Sequence, residues 1–245
     1  MAEASQLLLM LDYDGTLVPI APTPDQARPD AELVVTLQKL TISPGRVVGI
    51  ISGRKLAELQ NLLPLTGLYL FGSHGLEFRD VDGRVHCMIE DQSLVEHILS
   101  LEKVAGECIS NNSGFLLENK GASLALHYRL ADPPLAREVL CNFIQKVACV
   151  MDRNRFEFLP GKKVLEIRPR GVSKGKAVQY LCRKHPGALP LYIGDDRTDE
   201  DGFLALKRGL GILVSPQPRP SAATFRLTSP REVYKFLFFL LQGSQ

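Results

Sequence analysis

Apolar runs of strand length, each followed directly by polar or glycine-rich residues, constrain the fold of this chain more than any other feature. The runs are Leu7–Leu11, Val47–Ile51, Leu68–Phe71, Leu191–Ile193 and Leu210–Val214. Because no polar residue interrupts them, they predict strands buried on both faces, as in a parallel sheet covered by helices. Helical segments between the runs complete a βα alternation, so we expect a doubly wound, Rossmann-like α/β core.

Residues that favour helix starts support this alternation. Asp30, Ser173 and Thr198 are suitable N-caps, and Ser229–Glu232 forms a capping box with proline at the first turn. We predict helices over Ala31–Leu40, Lys55–Leu63, Lys174–Lys184, from Thr198 to Gly209, and over Pro230–Gln242.

The middle of the chain has a different pattern. Helical patterns at Ser93–Cys108 and Leu135–Val150 lie among short runs typical of strands. Those runs are Phe115–Glu118, Ser123–Tyr128, Arg155–Leu159 and Val164–Arg168. The pattern predicts an inserted α+β domain over residues 91–168, with residues 1–90 and 169–245 forming the core.

The charge balance and the length of the apolar runs argue against several classes of partner. Lys plus Arg total 29 and Asp plus Glu total 27, a net charge of +2, so we expect no nucleic-acid partner. The apolar runs Leu7–Leu11 and Phe236–Leu241 are too short for an export signal or a membrane span, so we expect no membrane contact. The five cysteines are an odd number without a CxxC pair, which favours buried, reduced thiols and a cytoplasmic location.

Polar side chains follow several of the predicted strands, where ligands bind in sheets of this type. Asp12 and Asp14 follow the first strand, and Asp195 follows a later one. Two carboxylates this close repel each other unless a cation joins them, and Mg²⁺ suits an oxygen-rich site. The motif DxDGT alone is equally consistent with a simple turn. A second acidic segment, GDDRTDED, at another strand end favours the metal site.

These motifs together resemble those of the haloacid-dehalogenase-type phosphatases. Asp12–Thr16 is similar to the first motif of that superfamily, Ser52 in Ile-Ser-Gly-Arg to the second, Lys174 in Val-Ser-Lys-Gly-Lys to the third, and Gly194–Asp196 to the fourth. Further stretches resemble the trehalose-6-phosphate phosphatases within it. They are DYDGTLVPIAP, GSHGLE, ENKGASLALHYR, GKKVLEIRPRGVSKGK and GDDRTDED, and the likeness runs from about residue 7 to residue 214.

The resemblance implies roles for the residues at the strand ends. Asp12 would be the nucleophile, which forms an aspartyl phosphate, and Asp14 the general acid and base. Mg²⁺ would be held by the Asp12 carboxylate, the Asp14 backbone carbonyl and Asp195. Ser52 would bind a phosphoryl oxygen and Lys174 would add positive charge.

Two further aspartates and two residues of the core are assigned more loosely. Asp196 and Asp199 would act through water or by orienting Lys174. Asp199, Glu200 and Asp201 are also consistent with acidic residues that simply favour a helix N-terminus, and this is the role expected for Glu200 and Asp201. Arg54 and His74 would face the inserted domain and touch either phosphate or glucose.

The resemblance also implies that the inserted domain is a cap that closes over the site and recognises the sugar. Glu118, Lys120 and Glu166 match the sugar-reading positions of the family, and Asn119 lies among them. Glu118 and Lys120 share one face of a strand because side chains alternate with a period of two. His127 is as consistent with packing inside the cap as with a contact to substrate.

The expected activity is magnesium-dependent hydrolysis of trehalose 6-phosphate, a phosphorylated disaccharide. Sucrose 6-phosphate and mannosyl-3-phosphoglycerate remain alternative substrates, because the core motifs do not separate them. A different class, an inactive sugar-phosphate sensor or a synthase accessory subunit, would be expected to lack Asp12 or Asp14, and both are present. A functional link to trehalose-6-phosphate synthase stays open.

Overall fold

The computed structural model describes residues 6–110 and 112–242. It divides into two compact units. One contains residues 6–88 and 173–242, and the other contains residues 89–110 and 112–172.

The first unit is an eight-stranded sheet with helices on both faces. Its strands are β1 (Leu7–Leu11), β2 (Arg46–Ile51), β3 (Tyr69–Gly72), β4 (Glu77–Arg79), β5 (Val85–Cys87), β10 (Leu189–Gly194), β11 (Leu210–Val214) and β12 (Phe225–Leu227). Its α-helices are α1 (Ala31–Ile42), α2 (Leu56–Leu62), α5 (Lys174–Lys184), α6 (Arg197–Ala205) and α7 (Pro230–Gln242). Short 3₁₀ turns lie at Pro24–Gln26 and Ser73–Gly75.

The strand order is β12-β11-β10-β1-β2-β3-β4-β5. The pairs from β12 to β3 are parallel, and β4 and β5 add an antiparallel edge. From β1 the chain moves to β2 on one side, whereas β10 pairs with β1 on the other side. The order therefore reverses between β1 and β10, and a crevice for ligands is expected at the carboxyl ends of these two strands.

Both faces of the sheet are buried, which explains the uninterrupted apolar runs. Alternate side chains of β1 point to opposite faces. Leu9 and Leu11 pack in a core with residues of α1, α2 and α7, and Leu8 and Met10 pack in a second core with residues of α5 and α6. The expected doubly wound α/β core is confirmed.

The second unit is an antiparallel sheet with its helices packed in one apolar core. The elements are α3 (Gln92–Ile109), β6 (Leu116–Asn119), β7 (Leu124–His127), α4 (Pro133–Val150), β8 (Phe156–Gly161) and β9 (Val164–Pro169). The strand order is β6-β7-β9-β8. Every element lies within two residues of its predicted bounds.

Helix α6 differs from the prediction at both ends. Its N-cap is Asp196 rather than Thr198, because Asp196 and Asp199 form a capping box around the first turn. Thr198 lies inside the helix, which ends at Ala205, before the predicted end at Gly209. Gly209 instead has φ +103° in the turn before β11.

Three short strands were also not predicted, and the expected burial of all five cysteines was wrong. Strands β4, β5 and β12 have three residues each, too few to show a clear period. All five cysteines are free, but only Cys108 is buried, and Cys87, Cys141 and Cys149 are exposed. Across residues 6–110 and 112–242, none of the helices combines the length and the apolar character that a membrane crossing requires.

Candidate active site

Asp12 and Asp195 follow the two neighbouring strands at which the strand order reverses. Strand β1 pairs with β10 in parallel, with Leu11 opposite Ile193. The Asp12 backbone N–H continues this ladder and donates to the Ile193 carbonyl at 2.9 Å. Both aspartates are buried, at 3% and 6% exposure. The two carboxylates predicted as metal ligands are 183 positions apart in sequence (195 − 12), and the fold brings them together.

Lys174 lies between two buried carboxylates. It is the first residue of α5, which Ser173 caps through its side chain. The Lys174 Nζ donates to Asp12 Oδ1 at 2.6 Å and to Asp199 Oδ1 at 2.8 Å. Lys176, two residues further along the helix, is exposed. The structure therefore places Lys174, and not Lys176, beside the proposed nucleophile.

The charges of this trio depend on one another. Burial raises the pKa of Asp12, although the charge of Lys174 works in the opposite direction. Burial also opposes the charge on Lys174, but Asp12 and Asp199 outweigh it, and the pKa of the ammonium is raised. Likewise, Lys174 and several hydrogen bonds overcome burial at Asp199 and hold its pKa below the ordinary value. The ammonium therefore favours the charged form of both acids, and it outweighs burial at Asp199 but not at Asp12.

Asp199 is fully buried, and its hydrogen bonds organise the loop that bears Asp195. Its Oδ2 accepts from the backbone N–H groups of Asp195 at 3.0 Å and Asp196 at 2.9 Å. Its Oδ1 accepts from Lys174 and from the Tyr192 hydroxyl. A carboxylate has about four lone-pair positions, and these donors use them. Asp199 is therefore suited to orienting Lys174 and the loop rather than to binding a metal.

The remaining carboxylate oxygens fit a small, hard cation. Carboxylate oxygens of Asp12, Asp195 and Asp199 lie within 4.8 Å of one another. Asp12 Oδ2 is buried and accepts no hydrogen bond from the residues that the structure describes. Such an atom is costly to bury unless a ligand or a cation satisfies it. With Asp199 saturated, Asp12 and Asp195 are the side chains able to bind Mg²⁺ here.

Gly15 gives the Asp195 carboxylate its space. A Cβ at residue 15 would lie 2.2 Å from Asp195 Oδ2, and the backbone there has φ +84°. Only glycine meets both requirements without strain. This is the physical reason for glycine in the motif Asp12–Thr16.

Arg54 holds Asp14 in a two-point ion pair. Arg54 Nε and Nη2 donate to the two carboxylate oxygens of Asp14 at 2.7 and 2.8 Å. The guanidinium also contacts Glu58 and the Pro24 carbonyl. Although burial opposes the charge of Arg54, the hydrogen bond and charge of Asp14 raise its pKa. Arg54, predicted to contact substrate, is thus in direct contact with the proposed acid and base.

Ser52 and His74 lie beside this pair. Ser52 follows β2, and its Oγ accepts from the Arg54 backbone N–H at 3.2 Å. The His74 backbone N–H donates to the Ser52 carbonyl at 2.9 Å. Ser73 and His74 both have positive φ, at 49° and 59°, a conformation that side chains seldom adopt. The strained turn packs the His74 imidazole against Gly53.

In the second unit, the predicted sugar-reading residues take part in two side-chain contacts at the antiparallel sheet. Glu118 on β6 and Glu166 on β9 are both opposite Ala125 of β7, so their side chains share one face. Glu118 Oε2 lies 2.9 Å from His127 Nε2, and Lys120 Nζ donates to Glu166 Oε2 at 3.2 Å. Asn119 instead donates to Glu102 at 2.7 Å.

The sequence interpretation missed Tyr192 and Arg219. Tyr192 lies inside the apolar run of β10 and shows no polar signal, yet its hydroxyl donates to Asp199. Arg219 lies in a proline-rich segment and contacts the backbone carbonyls of Asp195 and Asp196. Asp196 serves as the N-cap of α6, with its Oδ1 accepting from the Arg197 backbone N–H at 2.7 Å.

Comparison with known proteins agrees with the motifs. Residues 10–231 match the family described as trehalose-phosphatase. The chain is 34% identical over 266 residues to a probable trehalose-phosphate phosphatase H of Arabidopsis thaliana, which covers 100% of this chain and 74% of the relative. It is 34% identical over 237 residues to trehalose-6-phosphate phosphatase of Escherichia coli, covering 96% and 86% of the two chains.

A solved structure supports the same assignment. The C-terminal domain of the C. albicans trehalose-6-phosphate phosphatase matches with a TM-score of 0.85 at 27% identity, covering 97% of this chain and 92% of that one. The resemblance inferred from the motifs is confirmed, and this chain belongs to the trehalose-phosphatase family.

Proposed function

We propose that this chain is a magnesium-dependent phosphatase that hydrolyses trehalose 6-phosphate to trehalose and phosphate. Membership of the family supports the phosphatase activity. The observation that carries the chemistry is the environment of Asp12. One carboxylate oxygen is held by Lys174 at 2.6 Å, and the other is buried without a hydrogen bond from the described residues.

In the first step, an oxygen of Asp12 attacks phosphorus. The new bond joins Asp12 to phosphorus as the bond from phosphorus to the sugar oxygen breaks. A proton moves from Asp14 to the departing sugar oxygen, so that trehalose leaves as a neutral alcohol. Lys174 beside Asp12 opposes the negative charge that gathers on the phosphoryl oxygens.

In the second step, water attacks the phosphorus of the aspartyl phosphate. Asp14 removes a proton from this water, the bond between Asp12 and phosphorus breaks, and phosphate is released. Two N–H groups of Arg54 donate to the two carboxylate oxygens of Asp14. Arg54 thus fixes the orientation of the base.

Asp12 and Asp195 would hold Mg²⁺, together with the Asp14 backbone carbonyl that the resemblance implies. When bound, the ion neutralises phosphoryl charge and brings the phosphate to the nucleophile. Asp199 and Lys174 would position these ligands, and Ser52 Oγ would donate to a phosphoryl oxygen.

Sugar recognition is proposed for the second unit. Glu118, Lys120 and Glu166 offer charged acceptors and donors on one sheet face, which suits the many hydroxyl groups of a disaccharide. Arg54 and His74 would contribute from the first unit. The presence of both Asp12 and Asp14 favours an enzyme over an inactive sensor. A cytoplasmic location and a functional link to the synthase stay predictions.

Substitution of Asp12 tests the proposal. The change Asp12→Asn preserves size but replaces the nucleophile by a poor one, so we expect loss of phosphate release from trehalose 6-phosphate. Asp25→Asn, at an exposed position of the same unit, provides the matched control and keeps full activity. Normal turnover by freshly purified Asp12→Asn protein would show that another group attacks phosphorus.

A further inference from the structure

We propose that Arg219 and Glu200 brace the loop that bears Asp195, which makes Arg219 a positioning residue for the metal site. The inference rests on the proposed function, because it assumes that Asp195 binds Mg²⁺. It concerns a segment to which the sequence interpretation assigned no role, the proline-rich stretch Ser215–Ser221.

Arg219 lies between β11 and β12 and reaches back to the metal loop. Its Nη2 donates to the backbone carbonyls of Asp195 at 3.4 Å and Asp196 at 3.3 Å. Its Nη1 donates to Glu200 Oε1 at 2.8 Å. The guanidinium therefore joins three points: its own segment, the loop after β10, and the first turn of α6.

Glu200 fastens the same segment to α6. Its Oε2 accepts from Ser221 Oγ at 3.1 Å and from the Ala222 backbone N–H at 2.8 Å. Together with Arg219, these are three attachments to one carboxylate from residues 219–222. Glu200 thus does more than favour a helix N-terminus, since its contacts fix the position of the chain around Arg219.

The loop is held from two sides. Asp199 Oδ2 accepts the backbone N–H of Asp196, and Arg219 donates to the carbonyl of Asp195. These two groups belong to the same peptide unit, which is planar and moves as one body. Fixing both ends of that plane limits its rotation, and the plane sets the direction of the adjoining Asp195 side chain. Removal of Arg219 would leave the N–H side fixed and the carbonyl side held less firmly.

The expected effect is moderate. The Arg219 side chain is 32% exposed, so water screens its interactions and replaces part of what is lost. We expect Arg219→Ala to weaken Mg²⁺ binding about 3- to 10-fold, in the range of one partly exposed charge-assisted hydrogen bond. Because Asp12, Asp14 and Lys174 do not contact Arg219 directly in the described hydrogen bonds, kcat at saturating Mg²⁺ should change much less.

The test measures Mg²⁺ binding apart from turnover. MgCl₂ is titrated calorimetrically into the metal-free full chain, and the Mg²⁺ concentration for half-maximal activity is measured in parallel. Arg219→Lys keeps the charge and should retain part of the affinity. Arg226→Ala is the matched control, since Arg226 donates to the Ser215 carbonyl of the same segment at 2.8 Å. It should bind Mg²⁺ within twofold of the unsubstituted protein.

The outcomes separate the brace from the metal site. Weaker binding in Arg219→Ala, partial recovery in Arg219→Lys and no effect in Arg226→Ala support the proposal. Unchanged binding in Arg219→Ala, or equal losses in both alanine variants, overturns it. If Arg219→Ala does not fold, Mg²⁺ binding is measured in Glu200→Gln instead. A smaller loss of affinity is expected there, and unchanged affinity would contradict the brace. If Asp195→Ala itself binds Mg²⁺ normally, the proposed metal site is wrong, whatever Arg219 does.

Discussion

Replacing Lys174 by methionine should both destabilise the protein and stop its chemistry. The Nζ donates to two carboxylates that are themselves 4% and 0% exposed as side chains. Methionine has a similar length but no charge, so the change leaves Asp12 and Asp199 buried without their shared cation.

The size of the effect follows from the two hydrogen bonds. Each hydrogen bond to a charged group contributes about 1.5–3 kcal/mol. Breaking a buried ion pair by removing one partner costs about 3–5 kcal/mol. We therefore expect Lys174→Met to lower the free energy of unfolding by about 3–5 kcal/mol in EDTA. Activity at saturating substrate should fall about 100- to 1000-fold, as for other lost electrostatic contacts to a reacting oxyanion.

Lys176→Met is the matched control, on the same helix two residues away and exposed. It should change the free energy of unfolding by no more than about 0.5 kcal/mol and leave kcat unaltered. Equilibrium urea denaturation followed by circular dichroism measures the first quantity, and phosphate release measures the second. If Lys174→Met is as stable and as active as Lys176→Met, the ion-paired trio does not have the role that the geometry assigns to it.

Two further predictions concern the metal loop and the choice of substrate. Gly15→Ala should abolish activity and Mg²⁺ binding, because its Cβ would lie 2.2 Å from Asp195 Oδ2. Gly83→Ala is the control, since Gly83 has a similar φ of +86° and a Cβ there would meet nothing within 4 Å. This variant should lose only stability, as thermal unfolding would show. Equal activity losses in the two variants would mean that backbone strain, and not the space for Asp195, explains the glycine. Glu118→Gln and Glu166→Gln should each reduce kcat/KM for trehalose 6-phosphate roughly 10- to 100-fold, the equivalent of one charge-assisted hydrogen bond, and leave p-nitrophenyl phosphate nearly unaffected. If kcat/KM falls equally for both substrates, these glutamates stabilise the unit rather than recognise the sugar.

Much of the core was predictable because burial on both faces leaves a strong signal. Leu7–Leu11 is apolar at every position, since alternate residues enter different cores. The cap of α1 was predictable for a similar reason, because Asp30 accepts from the Leu33 backbone N–H at 2.8 Å as a local interaction. Features that depend on neighbouring residues in sequence were therefore accessible from the sequence.

Contacts between residues far apart in sequence were predictable only where motifs marked both partners, as for Asp12 and Asp195. Tyr192 is part of an apolar run, and its hydroxyl acquires a partner only because α6 places Asp199 beside it. Arg219 is 24 residues from Asp195, and the path of the intervening chain brings the two together. The start of α6 was misplaced because Thr198 and Asp196 are both good caps, and only the capping box with Asp199 decides between them.

Phosphate release from a panel of sugar phosphates, with Mg²⁺ and with EDTA, tests the central claim most directly. The panel contains trehalose 6-phosphate, sucrose 6-phosphate, mannosyl-3-phosphoglycerate and glucose 6-phosphate. We predict the highest kcat/KM for trehalose 6-phosphate and loss of all turnover in EDTA, with recovery when Mg²⁺ is restored. Preference for another sugar phosphate would contradict the proposed substrate, and turnover that persists in EDTA would contradict the proposed metal site.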